Sequence, residues 1–204
     1  MTLLNEQHVQ ALESVIAEVE SKTDAEIVLV VAEQADDYHY IPTLWAAMLA
    51  LLVPLLMWFG GAWIELPTIM IAQWLVFIGL ALLLRWRPVM HRIIPKQVRY
   101  WRASNLARRQ FLEQNLHHTR GASGVLLFIS EAEHYVEVLA DSGIANKVGP
   151  EYWQQIVDTV TSSIKKGQLE LGLLDAVVSC GEVLAKEVPA TDAKNELPNR
   201  VVLL

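Results

Sequence analysis

The sequence predicts an α/β fold, a small mixed sheet sandwiched by helices, which a two-helix transmembrane hairpin interrupts. Short runs of aliphatic and β-branched residues alternate with stretches in which apolar residues recur at helical spacing. An apolar stretch, residues 41–84, separates two regions that both have this mixture of patterns, and its only formally charged residue is Glu65. The regions on either side of this stretch have ordinary amphipathic patterns, so together they can bury one core of normal size.

The first segment, residues 1–37, predicts one helix and one strand. Asn5 can cap the helix, which then carries apolar residues at helical spacing. These residues are Val9, Leu12, Ile16 and Val19. After a break at Thr23-Asp24-Ala25, the run EIVLVVAE over Glu26–Glu33 is of strand length and rich in β-branched residues. Such a run is typical of a central strand that is buried on both faces.

Residues 41–85 predict the hairpin. A helix of about 20 apolar residues crosses a hydrocarbon core of about 30 Å. Two such lengths are present, Ile41–Ile64 and Leu66–Leu84. A helix buried in a soluble core usually keeps one polar face, and neither length has one. We therefore favour a transmembrane hairpin over a buried helical hairpin, and we expect Pro54 to kink its first helix.

The charges predict which side of the membrane the flanks occupy. The net charge is −7, yet residues 66–112 contain no acid and hold eight of the 16 Lys and Arg residues. They are Arg85, Arg87, Arg92, Lys96, Arg99, Arg102, Arg108 and Arg109. By the positive-inside rule the end of the second span faces the cytoplasm, and a hairpin returns to the side that it left. The N-terminal residues lack the pattern of a signal peptide. We expect a two-span inner-membrane protein with both termini and the soluble domain in the cytoplasm.

The second soluble segment, residues 95–188, predicts a basic helix, two strands and two further helices. The basic helix covers about residues 96–116 and has five candidate buried positions, which are Val98, Trp101, Leu106, Phe111 and Leu116. The strands are Gly124–Glu131 and Tyr135–Asp141, and the last helices begin near Pro150 and Glu170. Residues 189–204 predict a flexible tail.

The order of elements predicts the topology. A helix separates the first two strands, which favours a parallel pair, whereas the link of residues 132–134 is so short that the next pair must be antiparallel. Because the first strand precedes the hairpin and the others follow it, residues 1–37 and 95–188 form one domain. The sheet closes only if both ends of the hairpin lie on one face of the membrane.

Several short motifs resemble one protein family. They are Thr23–Val28 (TDAEIV), Gly124–Leu127 (GVLL), Val136–Ile144 (VEVLADSGI) and the spacing from Gly167 to Gly172-Leu173. In this order they resemble the TPM domain, named for a thylakoid lumen protein and its bacterial relatives. The resemblance covers the soluble part and not the hairpin. It implies a small α/β/α sandwich, and it suggests acid phosphatase activity, binding of a divalent metal such as calcium, or a part in assembling membrane complexes.

Few residues offer catalytic chemistry. The sequence has no P-loop, Cys-x5-Arg, Gly-x-Ser-x-Gly or Asp-x-Asp motif. Ser123 and Ser142 lie beside glycines at strand ends without an evident partner, and the pattern around Cys180 favours a packed core thiol. Asp24 and Asp141 are the candidate metal ligands, since each lies at a strand end and calcium takes six to eight oxygens. We favour the alternative that both side chains cap local turns.

The function predicted from these observations is a non-catalytic binding or assembly module, anchored at the cytoplasmic face of the membrane. Its partners are then the lipid bilayer and other membrane proteins. No nucleic acid is expected, because anionic headgroups account for the basic cluster and the rest of the chain is acidic. The alternative is a membrane-tethered phosphatase or other hydrolase that depends on a divalent cation.

Overall fold

The computed structural model describes residues 4–60, 65–86, 89, 93–191, 197–198 and 200–204, and it divides into two compact units. Residues 1–35 and 100–204 form the sheet unit, and residues 36–99 form the hairpin unit. In chain order the elements are α1 (Glu6–Glu20), β1 (Glu26–Ala32), α2 (Tyr40–Ala50), α3 (Leu52–Phe59), α4 (Leu66–Leu84), α5 (Lys96–Glu113), β2 (Gly124–Ser130), β3 (Tyr135–Ala140), α6 (Ser142–Ala145), α7 (Pro150–Lys165), α8 (Leu169–Glu187) and β4 (Val201–Leu203).

The sheet is mixed, with the strand order β3-β2-β1-β4. β1 and β2 pair in parallel with Glu26 opposite Gly124, and β2 and β3 pair antiparallel with Val125 opposite Ala140. Every residue of β1 and β2 is buried, because helices cover both faces of the two central strands. The predicted mixed α/β fold and the direction of both strand pairs are confirmed.

Helices cover the two faces of the sheet unequally. On one face, α1, α7 and α8 bury a large apolar cluster that includes Leu12, Leu127 and Leu173. Asn5 caps α1 as predicted, since its side chain accepts a hydrogen bond of 2.8 Å from the His8 amide. On the other face α5 lies over β1 and β2, where the small side chains of Ala103 and Ala107 are buried in the same cluster as Phe128.

Trp101 was predicted to be buried, and this prediction is wrong. Its side chain is 59% exposed, whereas Ala103, Ala107 and Gln110 are the buried residues of α5. The apolar residues of this helix lie on more than one side, so hydrophobicity alone does not choose the face that meets the sheet. Small residues let a helix approach a sheet closely, and here they occupy the inward face.

The predicted flexible tail is also wrong for its last residues. Val201–Leu203 form β4, which pairs in parallel with β1 from Leu29 to Val31. The Leu204 amide donates to the Val31 carbonyl oxygen at 3.0 Å, and the Glu33 amide donates to the Leu204 carbonyl oxygen at 2.8 Å. β4 covers an edge of β1 whose backbone groups would otherwise stay open to pairing with another chain. Residues 192–196 and 199 of the predicted tail lie outside the described residues.

Replacing Leu204 by proline is expected to loosen this edge. Proline removes the amide that bonds to Val31, at a cost of about 0.5–1.5 kcal/mol, and hydrogen exchange at the Glu33 amide should become faster. Leu204→Ala is the matched control, because it shortens the same half-exposed side chain and keeps the amide. Equal exchange rates in the two variants would mean that the backbone bond does not hold β4 in place.

The hairpin unit consists of α2, α3 and α4, and α4 packs against the other two. The first helix is interrupted at Leu51, where Pro54 supplies no amide and its ring crowds the carbonyl group of Ala50. Tyr40–Phe59 and Leu66–Leu84 are long and apolar enough to span a membrane, with mean hydropathies of 1.9 and 2.1. No described residue of α3 or α4 is buried. Residues 61–64, the predicted end of the first span, lie outside the described residues.

Candidate functional site

The sheet unit has a cavity of about 680 Å³ at the edge where β1 and β2 begin and β3 ends. Its wall is formed by the end of α1, the residues before β1 and β2, the start of α6 and the segment after α8. Acidic and basic side chains both line it, among them Asp24, Glu26, Arg120 and Lys147. A cavity with both signs of charge can hold a polar or ionised group.

Asp24 is held by a residue far away in the sequence. The Thr191 amide donates to Asp24 Oδ1 at 2.8 Å, and Thr191 Oγ1 donates to Asp24 Oδ2 at 2.6 Å. Donation from the Thr191 hydroxyl, followed by that from its amide, lowers the pKa of Asp24 below its usual range. Thr23 fixes the same segment, because its hydroxyl donates to the Val188 carbonyl oxygen at 2.5 Å. The Asp24 carboxylate therefore joins the start of β1 to the segment after α8.

Asp141 caps the short helix α6 at the end of β3. Its Oδ1 accepts a hydrogen bond of 2.6 Å from the Ser142 amide, and its carbonyl oxygen accepts from the Ile144 and Ala145 amides. Gly143 lines the cavity from this helix. A Cβ atom at Gly143 would overlap the carbonyl oxygen of Gly121, so only glycine lets α6 lie against that turn. Asp141 thus has the capping position that the sequence favoured.

The predicted metal ligands Asp24 and Asp141 come to the same edge of the sheet, but each is engaged in hydrogen bonds. Both oxygens of Asp24 accept from Thr191, and Asp141 caps α6. Among the described residues, no three His, Cys, Asp or Glu side chains are grouped so as to hold a metal ion. Calcium takes six to eight oxygens, of which two carboxylates supply only a part, so we derive no chemistry through a cation. Metal binding by Asp24 and Asp141 stays a prediction.

The other candidate groups have structural positions. Ser123 Oγ lies 2.9 Å from the Arg120 carbonyl oxygen and 3.1 Å from that of Asp24, and it can donate to either. Cys180 is fully buried in the core between helices and sheet, and burial raises the pKa of its thiol to about 12. A thiol with such a raised pKa is almost entirely protonated at neutral pH and is therefore a poor nucleophile.

Sequence reasoning missed several residues of the cavity. Arg120 and Lys147 were not singled out, although both follow glycine- or asparagine-containing turns near strand ends. Lys147 Nζ donates to the Glu187 carbonyl oxygen at 3.1 Å, which ties the cavity to the end of α8. Thr191 lay in the predicted flexible tail, and no local signal marks it as the partner of Asp24.

Comparisons with known proteins show which family model and which solved structure the chain is similar to. Residues 94–183 match the model of the family described as TPM domain. The chain thus contains a TPM domain. The matched region runs from α5 to α8 and excludes β1 and the apolar hairpin. The TPM-domain chain is also similar to BA42 protein from the psychrophilic bacterium Bizionia argentinensis, known from an NMR structure, with a TM-score of 0.60 and 17% identity over 98% of this chain and 94% of that one. At this identity the likeness shows a shared fold. No curated protein matches the sequence.

Asn in place of Asp24 is expected to make the protein less stable at neutral pH but not in acid. A carboxylate whose pKa is lowered on folding stabilises the folded state above its unfolded pKa, near 3.8, and loses that contribution as the pH falls through the folded value. The wild type and Asp24→Asn should therefore differ in stability at pH 7, and the difference should shrink as the pH falls below 3.8. Denaturant unfolding in mild detergent at neutral pH and in acid measures this. Asp175→Asn, an exposed change on α8, is the control; a difference between Asp24→Asn and the wild type that persists in acid would contradict the assignment.

Proposed function

We propose that this TPM-domain protein is anchored in the bacterial inner membrane by its hairpin unit. The sheet unit then lies at the cytoplasmic face and acts as a non-catalytic module that binds other membrane proteins or helps to assemble them. The observation that carries the proposal is the exposed apolar surface of the hairpin unit. The cavity of the sheet unit, beside Asp24 and α6, is the proposed contact for a partner.

The apolar surface of the hairpin unit supports anchoring. Trp58 and Phe59 are about four-fifths exposed, and the large apolar side chains of α4 stay open along its whole length. Exposed apolar patches on soluble proteins rarely exceed a few hundred Å², and a larger one needs a cover. Two adjacent helical segments, α2 with α3 over 20 residues and α4 over 19 residues, have the length that a hydrocarbon core requires. A bilayer covers all sides of such a hairpin at once.

The distribution of charge supports the orientation. Arg85 directly follows α4, and the described basic residues continue from there into α5. Cytoplasmic flanks of membrane spans carry such an excess of Lys and Arg. A hairpin with its basic end in the cytoplasm puts residues 1–37 in the same compartment, which is the condition for β1 to pair with β2.

The state of the candidate reactive groups supports binding over catalysis. The Asp24 carboxylate is held by Thr191, the Ser123 hydroxyl lies against backbone carbonyl groups, and the Cys180 thiol is buried with a raised pKa. A nucleophile needs an adjacent base or a lowered pKa to react at neutral pH. Asp24 and Ser123 instead hold the wall of the cavity in place, and Cys180 packs in the core, which suits a surface that recognises a partner.

Anchoring and orientation are tested together. Alkaline extraction of membranes should leave the full chain in the pellet. Reporter domains fused at Thr68 and after Leu204 should report opposite sides, Thr68 outside the cytoplasm and the C-terminus inside. A C-terminus outside the cytoplasm would overturn the orientation, and release of the chain by alkali would overturn the anchoring.

Partner binding is tested by photocrosslinking from the cavity. A photoreactive amino acid at Ser142, on the exposed start of α6 beside the cavity, should capture specific membrane proteins in intact cells. The same amino acid at Asp175, on the exposed side of α8, is the matched control. Identical products from both positions, or none above background, would count against the proposed contact.

A hydrolase is the second candidate, and one observation favours it. Arg120 and Lys147 line the same cavity as Asp24, and cations at a loop can hold a phosphate group. Purified full-length protein would then release phosphate from a model ester in the presence of a divalent cation. Activity that is abolished by a chelator and by Asp141→Asn would replace the binding proposal. Activity that ignores both would point to a contaminant.

A further inference from the structure

One side of α5 combines aromatic, aliphatic and basic residues on the surface of the sheet unit. We call Trp101, Arg108 and Leu112 the α5 stripe. At about 100° per residue, Arg108 and Leu112 both lie within about 20° of Trp101 around the helix axis. Trp101 is 59% and Leu112 is 57% exposed, and Arg108 is exposed as well. Three exposed residues thus form one line along more than three turns of helix.

The opposite side of α5 is fixed by packing. Ala103 and Gln110, which are buried, lie about 180–200° from Trp101 around the axis. Ala103 and Ala107 contact the apolar cluster that covers β1 and β2. The helix therefore cannot turn to bury the α5 stripe without giving up its contact with the sheet. Any cover for the stripe must come from outside the sheet unit.

Positive charge surrounds the α5 stripe. The Arg102 guanidinium lies over the Trp101 ring, 5.0 Å from its centroid, and Arg109 is exposed one residue beyond Arg108. No acid occurs between Leu66 and Leu112, and Glu113, which pairs with Arg109 at 2.7 Å, lies at the very end of the helix. The stripe therefore presents tryptophan and leucine between arginines. Of the described carboxylates near α5, Glu113 pairs with Arg109 and Glu137 of β3 accepts a hydrogen bond from Ser104.

We infer that the α5 stripe binds the headgroup region of an anionic lipid bilayer. Tryptophan prefers the membrane interface, leucine enters the boundary of the acyl chains, and arginine pairs with lipid phosphates while its stem stays in apolar surroundings. A protein partner could bind the apolar residues whether or not acidic residues lay beside them. The lack of acids within residues 66–112 therefore favours a lipid surface over a protein partner. The inference rests on the proposed membrane anchoring: Trp101 follows Leu84, the end of α4, by 17 residues, within the juxtamembrane range in which basic residues meet anionic headgroups.

A polarity-sensitive fluorophore tests the inference. The chain has one cysteine, the buried Cys180, so a Cys180→Ala background accepts a single label at Leu112→Cys. The matched control places the label at Leu171→Cys on α8, whose side chain has nearly the same exposure, 56%. The full chain is reconstituted in vesicles of phosphatidylcholine, with or without phosphatidylglycerol.

The label at position 112 should shift to the blue and become protected from iodide quenching when phosphatidylglycerol is present. Molar salt or the double change Arg108→Glu and Arg109→Glu should reverse both effects, because charges at a surface are screened within about 3 Å at 1 M salt. The label at position 171 should not respond. The inference is overturned if position 112 ignores the lipid charge, if both positions respond alike, or if charge reversal leaves the shift intact.

The two proposals fail in different ways. If alkali extracts the chain from the vesicles, the anchoring proposal fails, and the same labelled protein is then mixed with preformed anionic vesicles. A shift at position 112 under those conditions supports the α5 stripe without the hairpin, and its absence overturns the stripe. Arg108→Gln, a milder change at an exposed position, replaces the double variant if that variant does not fold, and it should weaken the shift in part.

Discussion

Replacing Phe128 by alanine is expected to lower the free energy of unfolding of the sheet unit by about 3–5 kcal/mol. Phe128 lies in the middle of β2, fully buried, and belongs to the cluster that β1, β2 and α5 share. Its partners in that cluster include Ala103 and Ala107 on α5, whose small side chains cannot fill the space that an absent ring leaves. The lost stability therefore has two parts, the transfer free energy of the ring and the cost of the cavity that the ring leaves.

Urea unfolding of the full chain in mild detergent, followed by near-ultraviolet circular dichroism, measures this loss. Leu112→Ala is the control on the same face of the sheet unit, since its side chain is exposed on α5 and should change the stability by no more than about 0.5 kcal/mol. Similar losses in the two variants would mean that α5 does not pack on β2 through Phe128.

The central part of the fold could be predicted because its signals are local. Glu26–Ala32 and Gly124–Ser130 are continuous apolar runs of strand length, and the structure buries every residue of both. A continuous apolar run of this length is typical of a central strand that helices cover on both faces, and the observed burial agrees with that interpretation. The hairpin was equally clear, because α4 has no polar side to place against water.

β4 could not be predicted because nothing local distinguishes it. Val201–Leu203 is a short apolar run whose strand state depends on the free edge of β1, more than 160 residues earlier in the chain. The same limit applies to the candidate site. Asp24 and Asp141 could be singled out because each lies at a strand end, but the partner of Asp24 is Thr191, which only the folded chain brings near.

Arginine at the centre of α4, in the double variant Leu75→Arg and Ile78→Arg, is expected to abolish insertion into the membrane. Each arginine near the middle of a spanning helix costs about 2.5–3.5 kcal/mol on insertion scales. Both side chains are exposed, so neither change disturbs packing between α4 and its neighbours. Alkaline extraction should release the variant from membranes, or the cell should degrade it, while the wild type stays in the pellet.

The matched control has the same added charge at the end of the helix, in the variant Leu83→Arg and Trp86→Arg. These exposed positions flank Arg85, where long basic side chains reach the headgroups at little cost. A bilayer distinguishes the two variants by depth, whereas a protein or detergent-like cover has no reason to prefer one end. Equal retention or equal loss of both variants would therefore show that α4 does not cross a membrane. The free energy of unfolding of the released Leu75→Arg, Ile78→Arg variant gives a further result. If it equals that of the wild type, β1 pairs with β2 even when no membrane brings the two halves of the domain together.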